Sequence, residues 1–334
     1  MNLQRWLPHL IAAVLLAIYA AINPLRAEHI AILVIVGLLG VASRSSRDLL
    51  ISIVPMALFF YIYDLMRLVA VYSAENVIVE GIYRAEQYTF GWLTPQAGSL
   101  GPVDFFRQHN HIFFDVLGGV WYALHIPCIL LFGIYLWFKS RGGLPRKTNR
   151  RLHIFMWGFL VMCIVGLSFQ GLIPVAPPWY VEQYGFTPPA SPIDGDPAGL
   201  TRVDEWLGIK YFEGVYTKNA YVFGALPSLH VASPVWLALN VRHRIGRPLA
   251  WAFAFMMGLF AVYLTHHYIL DIVAGVALAV VIYLLMTRTF IKHWPTRLHD
   301  YLHETFFGGP SLHSPPAEPL ETSPVDSPTN RGRR

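Results

Sequence analysis

Long apolar segments recur along the chain, separated by shorter charged stretches. A helix needs roughly 20 mostly apolar residues to cross a bilayer. Eight segments approach or reach this length: 7–23, 29–43, 49–72, 111–138, 152–174, 225–241, 249–265 and 268–287. The first two are short and close together, and 7–23 could equally be an uncleaved signal anchor. The pattern predicts an all-α, polytopic integral membrane helix bundle with eight spans.

The composition excludes an ordinary soluble domain. Of the 334 residues, 55% are hydrophobic and 13% are charged, and the mean hydropathy is +0.45. A soluble domain carries about 25% charged residues. The two cysteines, Cys128 and Cys163, lie inside apolar segments, so no disulfide framework is expected.

The charged loops predict the orientation of the bundle. Segments 139–151, 242–247 and 288–297 are rich in Lys and Arg, whereas 73–110 and 175–224 carry more acidic than basic residues. With eight spans all the basic loops fall on one side, which is cytoplasmic because such loops are retained there. Both termini are then cytoplasmic, and the acidic loops face the extracytoplasmic side, periplasmic or lumenal. The basic loops account for the net charge of +5, so no nucleic-acid partner is indicated.

The chain divides into three predicted parts. Residues 1–48 hold the two N-terminal spans, and residues 49–290 hold six spans that form the catalytic core. Residues 291–334 form a cytoplasmic helix and a tail. The tail is rich in Pro and Ser from residue 308 onward, a composition that predicts disorder.

The last apolar segment begins with ionisable residues, which are costly in a membrane. Asp271 stands one turn into it and four residues after His267, a spacing that places both side chains on one helix face. A carboxylate in that position holds the imidazole in one tautomer and leaves its other nitrogen free to attack an electrophile. The alternative is a buried His–Asp pair that only joins two helices.

The segment 225–241 opens in a similar way. Pro227 disfavours helix before it, and Ser228 is a predicted N-cap. The helix start then presents backbone N–H groups, which bind phosphate, and His230 in the first turn can give or take a proton. The alternative is a capped helix with a chance histidine. Because both helix starts lie on the extracytoplasmic side, we predict that they face each other and bind a lipid phosphate.

Two short patterns resemble motifs of the type 2 phosphatidic acid phosphatase superfamily. They are "PSLH" at 227–230 and the spacing His267-x3-Asp271. The Ser and Arg that precede the second motif in that superfamily are replaced here by Phe260 and Ala261, and its upstream Lys and Arg motif is absent. These departures argue against an ordinary phosphatase.

Five longer stretches resemble the inositol phosphorylceramide synthases, the fungal-type enzymes and their bacterial relatives. They occur in the same order between about residues 60 and 290 and are "YDLMR" (63–67), "PVAPPWYVEQYG" (174–185), "GDPAGLTRVDEWLG" (195–208), "FGALPSLHVA" (223–232) and "YLTHHYILDIVAG" (263–275). The resemblance implies a six-helix core like that of the phosphatidic acid phosphatases.

The resemblance also implies a reaction. Inositol phosphate moves from phosphatidylinositol to the primary hydroxyl of ceramide, and diacylglycerol is released without a metal or another cofactor. Carried over by motif position, His267 is the nucleophile that forms a phosphohistidine, and Asp271 orients it. His230 protonates the departing diacylglycerol oxygen and then deprotonates the ceramide hydroxyl. Both lipids are the implied partners, and no protein partner is predicted.

The missing Lys and Arg leave the phosphate charge without an evident counter-ion. Candidates for phosphate or substrate binding are Arg67, Lys218, His266 and Ser228. The alternatives are an ion pair between Arg67 and Asp64, and solvated surface charges at Lys218 and Arg202. The polar residues of the fourth span should face the bundle interior, near the ceramide: Asp115 and His125.

Three other functions stay open on the sequence alone. A lipid phosphate phosphatase uses the same residues with water as acceptor. A transporter or scaffold needs a polar interior but no nucleophile. A metal-dependent hydrolase would use the histidine cluster. The separate histidine-rich stretch "RQHNH" at 107–111 lacks a third placed ligand and is interpreted as a polar helix entrance.

Overall fold

The computed structural model describes residues 7–22, 27–73, 76–94, 101–141, 147–191 and 193–307. Its helices, in chain order, are α1 (Leu7–Ile22), α2 (Ala27–Ala42), α3 (Arg44–Ser73), α4 (Glu80–Phe90), α5 (Pro102–Gln108), α6 (Ile112–Arg141), α7 (Lys147–Leu172), α8 (Pro178–Tyr184), α9 (Thr201–Leu207), α10 (Tyr211–Tyr216), α11 (Leu229–Asn240), α12 (Gly246–Tyr263), α13 (Ile269–Arg288) and α14 (Trp294–Phe307). The tail that is predicted to be disordered lies outside the described residues.

A helix lies at each of the eight predicted spans, which confirms an all-α bundle. Five described helices are long and apolar enough to cross a membrane: α3, α6, α7, α12 and α13. α1 and α2 have 16 residues each, and α11 has 12. At a rise of 1.5 Å per residue α11 is about 18 Å long, shorter than the roughly 30 Å of a hydrocarbon core. It is shorter than predicted because Ser228 caps it at one end and the chain leaves the helix after Asn240 at the other.

The short helix α11 is the centre of the bundle. It packs against α6, α7, α12 and α13. Trp236, in its middle, is fully buried, and its indole Nε1 donates to the carbonyl oxygen of Phe155 on α7 at 3.0 Å. A buried indole keeps its N–H only where a partner is at hand, so this bond fixes the rotation of α11 about its axis.

Five short helices, α4, α5, α8, α9 and α10, gather at one end of the bundle, here called the site end. They come from segments 73–110 and 175–224, which the sequence analysis treated as loops. Isolated β-bridges join Ile78 to Val175 and Val175 to Gly224, and the Trp179 amide donates to the Thr265 carbonyl at 3.2 Å. The described parts of the acidic loops therefore form a cap over the site end.

At the opposite end, α14 packs against α3 and α7. Asp48 of α3 is fully buried there and accepts a hydrogen bond from Trp137 Nε1 at 2.9 Å. His299 and His303 of α14 approach the same carboxylate at 3.8 and 4.0 Å. α14 thus lies within the segment predicted to hold a helix, and it docks through buried polar groups.

Candidate active site

The starts of α11 and α13 lie directly against each other. The Ser228 amide donates to the Asp271 carbonyl at 3.0 Å. Gly275, one turn further along α13, faces the Ser228 carbonyl so closely that a Cβ added there would lie 2.4 Å from its oxygen. Only glycine permits this approach. The prediction that the two helix starts face each other is confirmed.

Three side chains form a row across this junction. His230 Nδ1 lies 3.1 Å from His267 Nε2, and His267 Nδ1 lies 3.4 Å from Asp271 Oδ2. Asp271 is fully buried, and its Oδ2 also accepts the Tyr268 amide hydrogen at 2.9 Å. One imidazole therefore has a carboxylate at one nitrogen and a second imidazole at the other.

The two histidines of the last motif are not helical, which corrects the prediction that His267 and Asp271 share a helix face. α12 ends at Tyr263, and α13 begins only at Ile269. Thr265 between them has φ 61°, a left-handed conformation that is rare for a β-branched residue and marks local strain. The amides of His266 and His267 both donate to the Ala261 carbonyl at 3.0 Å. The spacing of four residues gave the correct contact with Asp271, but a tight turn rather than a helix face produces it.

Aromatic rings enclose the histidines. The ring centroid of Tyr122 lies 4.9 Å from that of His230 and 5.1 Å from that of His266. Tyr216 stacks on His266 at 4.8 Å, and His125 lies 5.0 Å from His230. Tyr122 and Tyr216 escaped the sequence analysis because an aromatic residue in or beside an apolar run gives no functional signal. His125 faces the interior, as predicted.

Several polar atoms at this site are buried without a hydrogen-bond partner in the described part of the chain. Two of them belong to the rings around the row: the Tyr122 hydroxyl and His266 Nε2. Burial and, to a smaller extent, the neighbouring His267 lower the pKa of His266 to about 3, so the ring is neutral at ordinary pH. Its other nitrogen bonds the Pro197 carbonyl, which can only accept, so Nδ1 carries the hydrogen and Nε2 is an acceptor.

The remaining candidates for phosphate binding lie around the row rather than in it. Ser228 is fully buried, and its side chain accepts the Val231 amide hydrogen at 3.4 Å, so it is the predicted N-cap. Arg67 donates to Asp64 Oδ1 at 3.1 Å and to the Lys218 carbonyl. Lys218 itself is exposed. The ion pair that was the alternative for Arg67 is therefore present. The second bond of Arg67, to the Lys218 carbonyl, ties α3 to the loop that follows Tyr216.

Arg202 is not the solvated surface charge that the sequence analysis expected. Its Nε and Nη2 donate to the two carboxylate oxygens of Asp115 at 2.9 and 2.6 Å. Asp115 is buried on α6, as predicted. A buried carboxylate needs a cation, and the fold of the cap supplies one from α9, 87 residues further along the chain.

An apolar cavity of about 750 Å³ opens between α11, α12 and α13, under α5. Its volume is in the range of small-molecule and lipid sites. The lining includes Val231, which follows His230, and Ile269, which lies two residues after His267. The cavity is therefore lined in part by residues that neighbour His230 and His267 in the chain. Among the described residues, no group of three or more His, Cys, Asp or Glu side chains is placed to hold a metal ion.

Comparison with known proteins places the chain in a family. The profile of the PAP2 superfamily matches residues 101–285. The phosphoinositol dihydroceramide synthase of Bacteroides thetaiotaomicron is 34% identical over 288 residues, which cover 84% of this chain and 91% of the relative. The inositol phosphorylceramide synthase catalytic subunit of Schizosaccharomyces pombe is 31% identical over 52% of this chain and 40% of its own length. The corresponding subunit of Saccharomyces cerevisiae is 36% identical over 36% of this chain and 31% of its own length.

No solved structure matches the chain. The profile match covers more than half of the chain, and the bacterial relative aligns over nearly its whole length. The resemblance found in the motifs is confirmed. The chain is a multi-pass integral membrane protein that belongs to the PAP2 superfamily and, within it, to the family that contains the inositol phosphorylceramide synthases.

Proposed function

We propose that this protein transfers inositol phosphate from phosphatidylinositol to the primary hydroxyl of a ceramide or dihydroceramide and releases diacylglycerol. The observation that carries the proposal is the row His230–His267–Asp271, with 3.1 and 3.4 Å between neighbours. The names of the relatives supply the head group and the acceptor class. The site lies on the extracytoplasmic face, a placement supported by the excess of Lys and Arg in the loops at the other end of the core.

In the first step, the Nε2 lone pair of His267 attacks the phosphorus of phosphatidylinositol. The bond from phosphorus to the diacylglycerol oxygen breaks, and this oxygen takes a proton from cationic His230. The anionic phosphate stabilises that cation as it enters. Asp271, at 3.4 Å from Nδ1, holds the tautomer that exposes Nε2 and stabilises the positive charge that develops on His267. The result is inositol phosphate bonded to His267.

In the second step, the acceptor hydroxyl gives its proton to the now neutral His230. Its oxygen forms a bond to phosphorus as the bond from phosphorus to Nε2 breaks. His267 returns to the neutral form and His230 to the cationic form, so the cycle closes without a further proton source. The 3.1 Å between the two imidazoles supports this double role, because the group that moves the proton stands beside the attacking nitrogen.

Neutral donors take the place of the missing Lys and Arg. A phosphodiester that exchanges one ester oxygen for another develops charge on its two free oxygens, which preorganised donors stabilise in a site without water. The Tyr122 hydroxyl is buried, has no partner in the described part of the chain, and belongs to a ring next to His230. We assign it to a phosphate oxygen.

Replacing Tyr122 by phenylalanine tests this assignment. We expect turnover to fall about 100-fold with little change in KM, because the donor acts mainly as charge develops. Tyr135→Phe is the matched control, since Tyr135 lies on the same helix and is 48% exposed. Steady-state kinetics in mixed micelles measures both variants, and a wild-type rate for Tyr122→Phe would contradict the assignment.

His266 suits a hydroxyl group of the substrate better than its phosphate. Its Nε2 is a buried acceptor, because Nδ1 already donates to Pro197. An acceptor repels a phosphate oxygen but binds a hydroxyl hydrogen. The inositol ring and the acceptor lipid both carry hydroxyls. The apolar cavity beside the row receives a hydrocarbon chain of one of the two lipids.

The decisive experiment supplies labelled phosphatidylinositol and a fluorescent ceramide or dihydroceramide to membranes that contain the protein, with a chelator present. We expect a fluorescent inositol phosphorylceramide from the wild type and none from His267→Asn, by chromatography of the extracted lipids. Free inositol phosphate with unchanged acceptor would show that water is the acceptor, and the protein would be a hydrolase. Consumption of neither lipid would exclude this donor, and loss of product only with chelator would indicate a metal-dependent reaction.

A further inference from the structure

Glu86 belongs to α4 but lies at the start of α13. Its side chain is buried, with 2% of the residue exposed. Oε1 accepts the Ile269 amide hydrogen at 2.9 Å, and Oε2 accepts that of Leu270 at 3.2 Å. These two amides stand between His267 and Asp271 in the chain. A carboxylate 183 residues away in sequence thus holds the segment that carries two members of the row.

The two bonds complete the cap of α13. The first amides of a helix have no acceptor within the helix. Here the Tyr268 amide donates to Asp271 Oδ2 at 2.9 Å, and the next two amides donate to Glu86. Asp271 Oδ2 is also the atom that lies 3.4 Å from His267. A shift of the first turn of α13 therefore changes the distance between Asp271 and His267.

We propose that Glu86 is a positioning residue whose ionised carboxylate holds the first turn of α13 in the place where Asp271 reaches His267. This inference rests on the proposed function for the roles of His267 and Asp271. Glu86 does not contact the row itself. It acts through the backbone of Ile269 and Leu270.

The surroundings make this support sensitive to pH. Burial, opposed by the two amide bonds and aided by repulsion from Asp271, raises the pKa of Glu86 to about 7. The other ionisable groups around this helix start include Tyr268, His267 and the hydrogen-bonded pair of Tyr83 on α4 and Asp104 on α5. Arg107 lies 4.0 Å from Asp104. As the pH falls through about 7, Glu86 takes up a proton and becomes a weaker acceptor for the two amides.

The test compares Glu86→Gln with Glu80→Gln. Glu80 lies on the same helix but is half-exposed and pairs with Arg84, so it provides the same chemical change away from the site. We expect Glu86→Gln to lower kcat about tenfold at about pH 8 with little change in KM, since charged acceptors form the stronger bonds. We also expect it to flatten the activity profile between about pH 6 and about pH 8, because the glutamine does not titrate. Glu80→Gln should keep the wild-type values and profile.

A second measurement does not depend on the lipid substrate. Hydrogen-exchange mass spectrometry of the segment 265–271, at one pH, should show faster exchange in Glu86→Gln than in Glu80→Gln. Equal exchange, or an unchanged kcat and pH profile, would overturn the proposal. If Glu86→Gln does not fold, Glu86→Asp keeps the charge and shortens the reach, and a wild-type kcat for that variant would overturn it too. Failure of the wild type to use phosphatidylinositol would refute the proposed function, whereas the exchange result would still decide the role of Glu86.

Discussion

His267→Asn is expected to lower the rate of transfer by about 10⁴-fold or more, because the amide nitrogen of asparagine shares its lone pair with the carbonyl group and does not attack phosphorus. The asparagine side chain fills part of the same space, so the neighbouring turn and the cap of α13 should stay in place. With donor labelled at phosphorus, brief incubation of the wild type and an alkaline quench should trap label on the protein, since a phosphorus–nitrogen bond to histidine resists alkali. The variant should trap none.

The matched control is His109→Asn. His109 lies at the site end, at the end of α5, but it is exposed and stacks on Phe105 rather than on the row. It should keep the wild-type rate and the trapped label. Label on protein from the His267 variant, or transfer at a rate near that of the wild type, would contradict a nucleophilic role for His267.

His230→Ala is expected to slow transfer by about 10²- to 10⁴-fold, the range for loss of a general acid–base group. Its effect should differ from that of His267→Asn in one respect. With a donor whose leaving group needs no proton, such as a nitrophenyl ester of inositol phosphate, the first step should recover in His230→Ala. The second step should stay slow, because nothing removes the proton from the acceptor hydroxyl.

The outcome is an accumulation of labelled protein in His230→Ala when the nitrophenyl donor and ceramide are both present. Release of nitrophenol and the amount of label per protein measure the two steps separately. The same donor with His267→Asn should yield neither nitrophenol nor label. Recovery of both steps in His230→Ala would show that another group, such as the nearby His125, moves the proton.

Much of the fold was predictable from apolar patterning, because lipid imposes the strongest constraint on any spanning segment. Each predicted span contains a helix, and Ser228 begins α11 as its cap. Apolar patterning did not predict the short helices in the segments outside the membrane. The five short helices of the cap came from segments without an apolar period, and tertiary contacts with α6, with the end of α12 and with the start of α13 hold them in place.

The candidate site likewise contains residues that the sequence identified and residues that only the structure revealed. His230, His267 and Asp271 could be chosen from the sequence, because an ionisable residue in an apolar segment costs free energy in a membrane and needs a partner there. Arg202, Tyr122 and Glu86 could not be assigned. Their partners lie between 87 and 184 residues away, and nothing in the local sequence distinguishes them from a surface charge or a packed ring.

The sequence by itself determined that this protein is a helical membrane bundle with a polar motif at the start of each of two helices, because hydrophobic period and capping chemistry act locally. Only the tertiary structure decided that the two motifs meet in one row with 3.1 and 3.4 Å between neighbours. It also decided that a strained turn at Thr265, rather than a helix face, sets His267 against Asp271. The physical reason is that the close approach of Gly275 to Ser228 and the two amide bonds to Glu86 depend on how separate helices pack, and packing is a property of the whole chain.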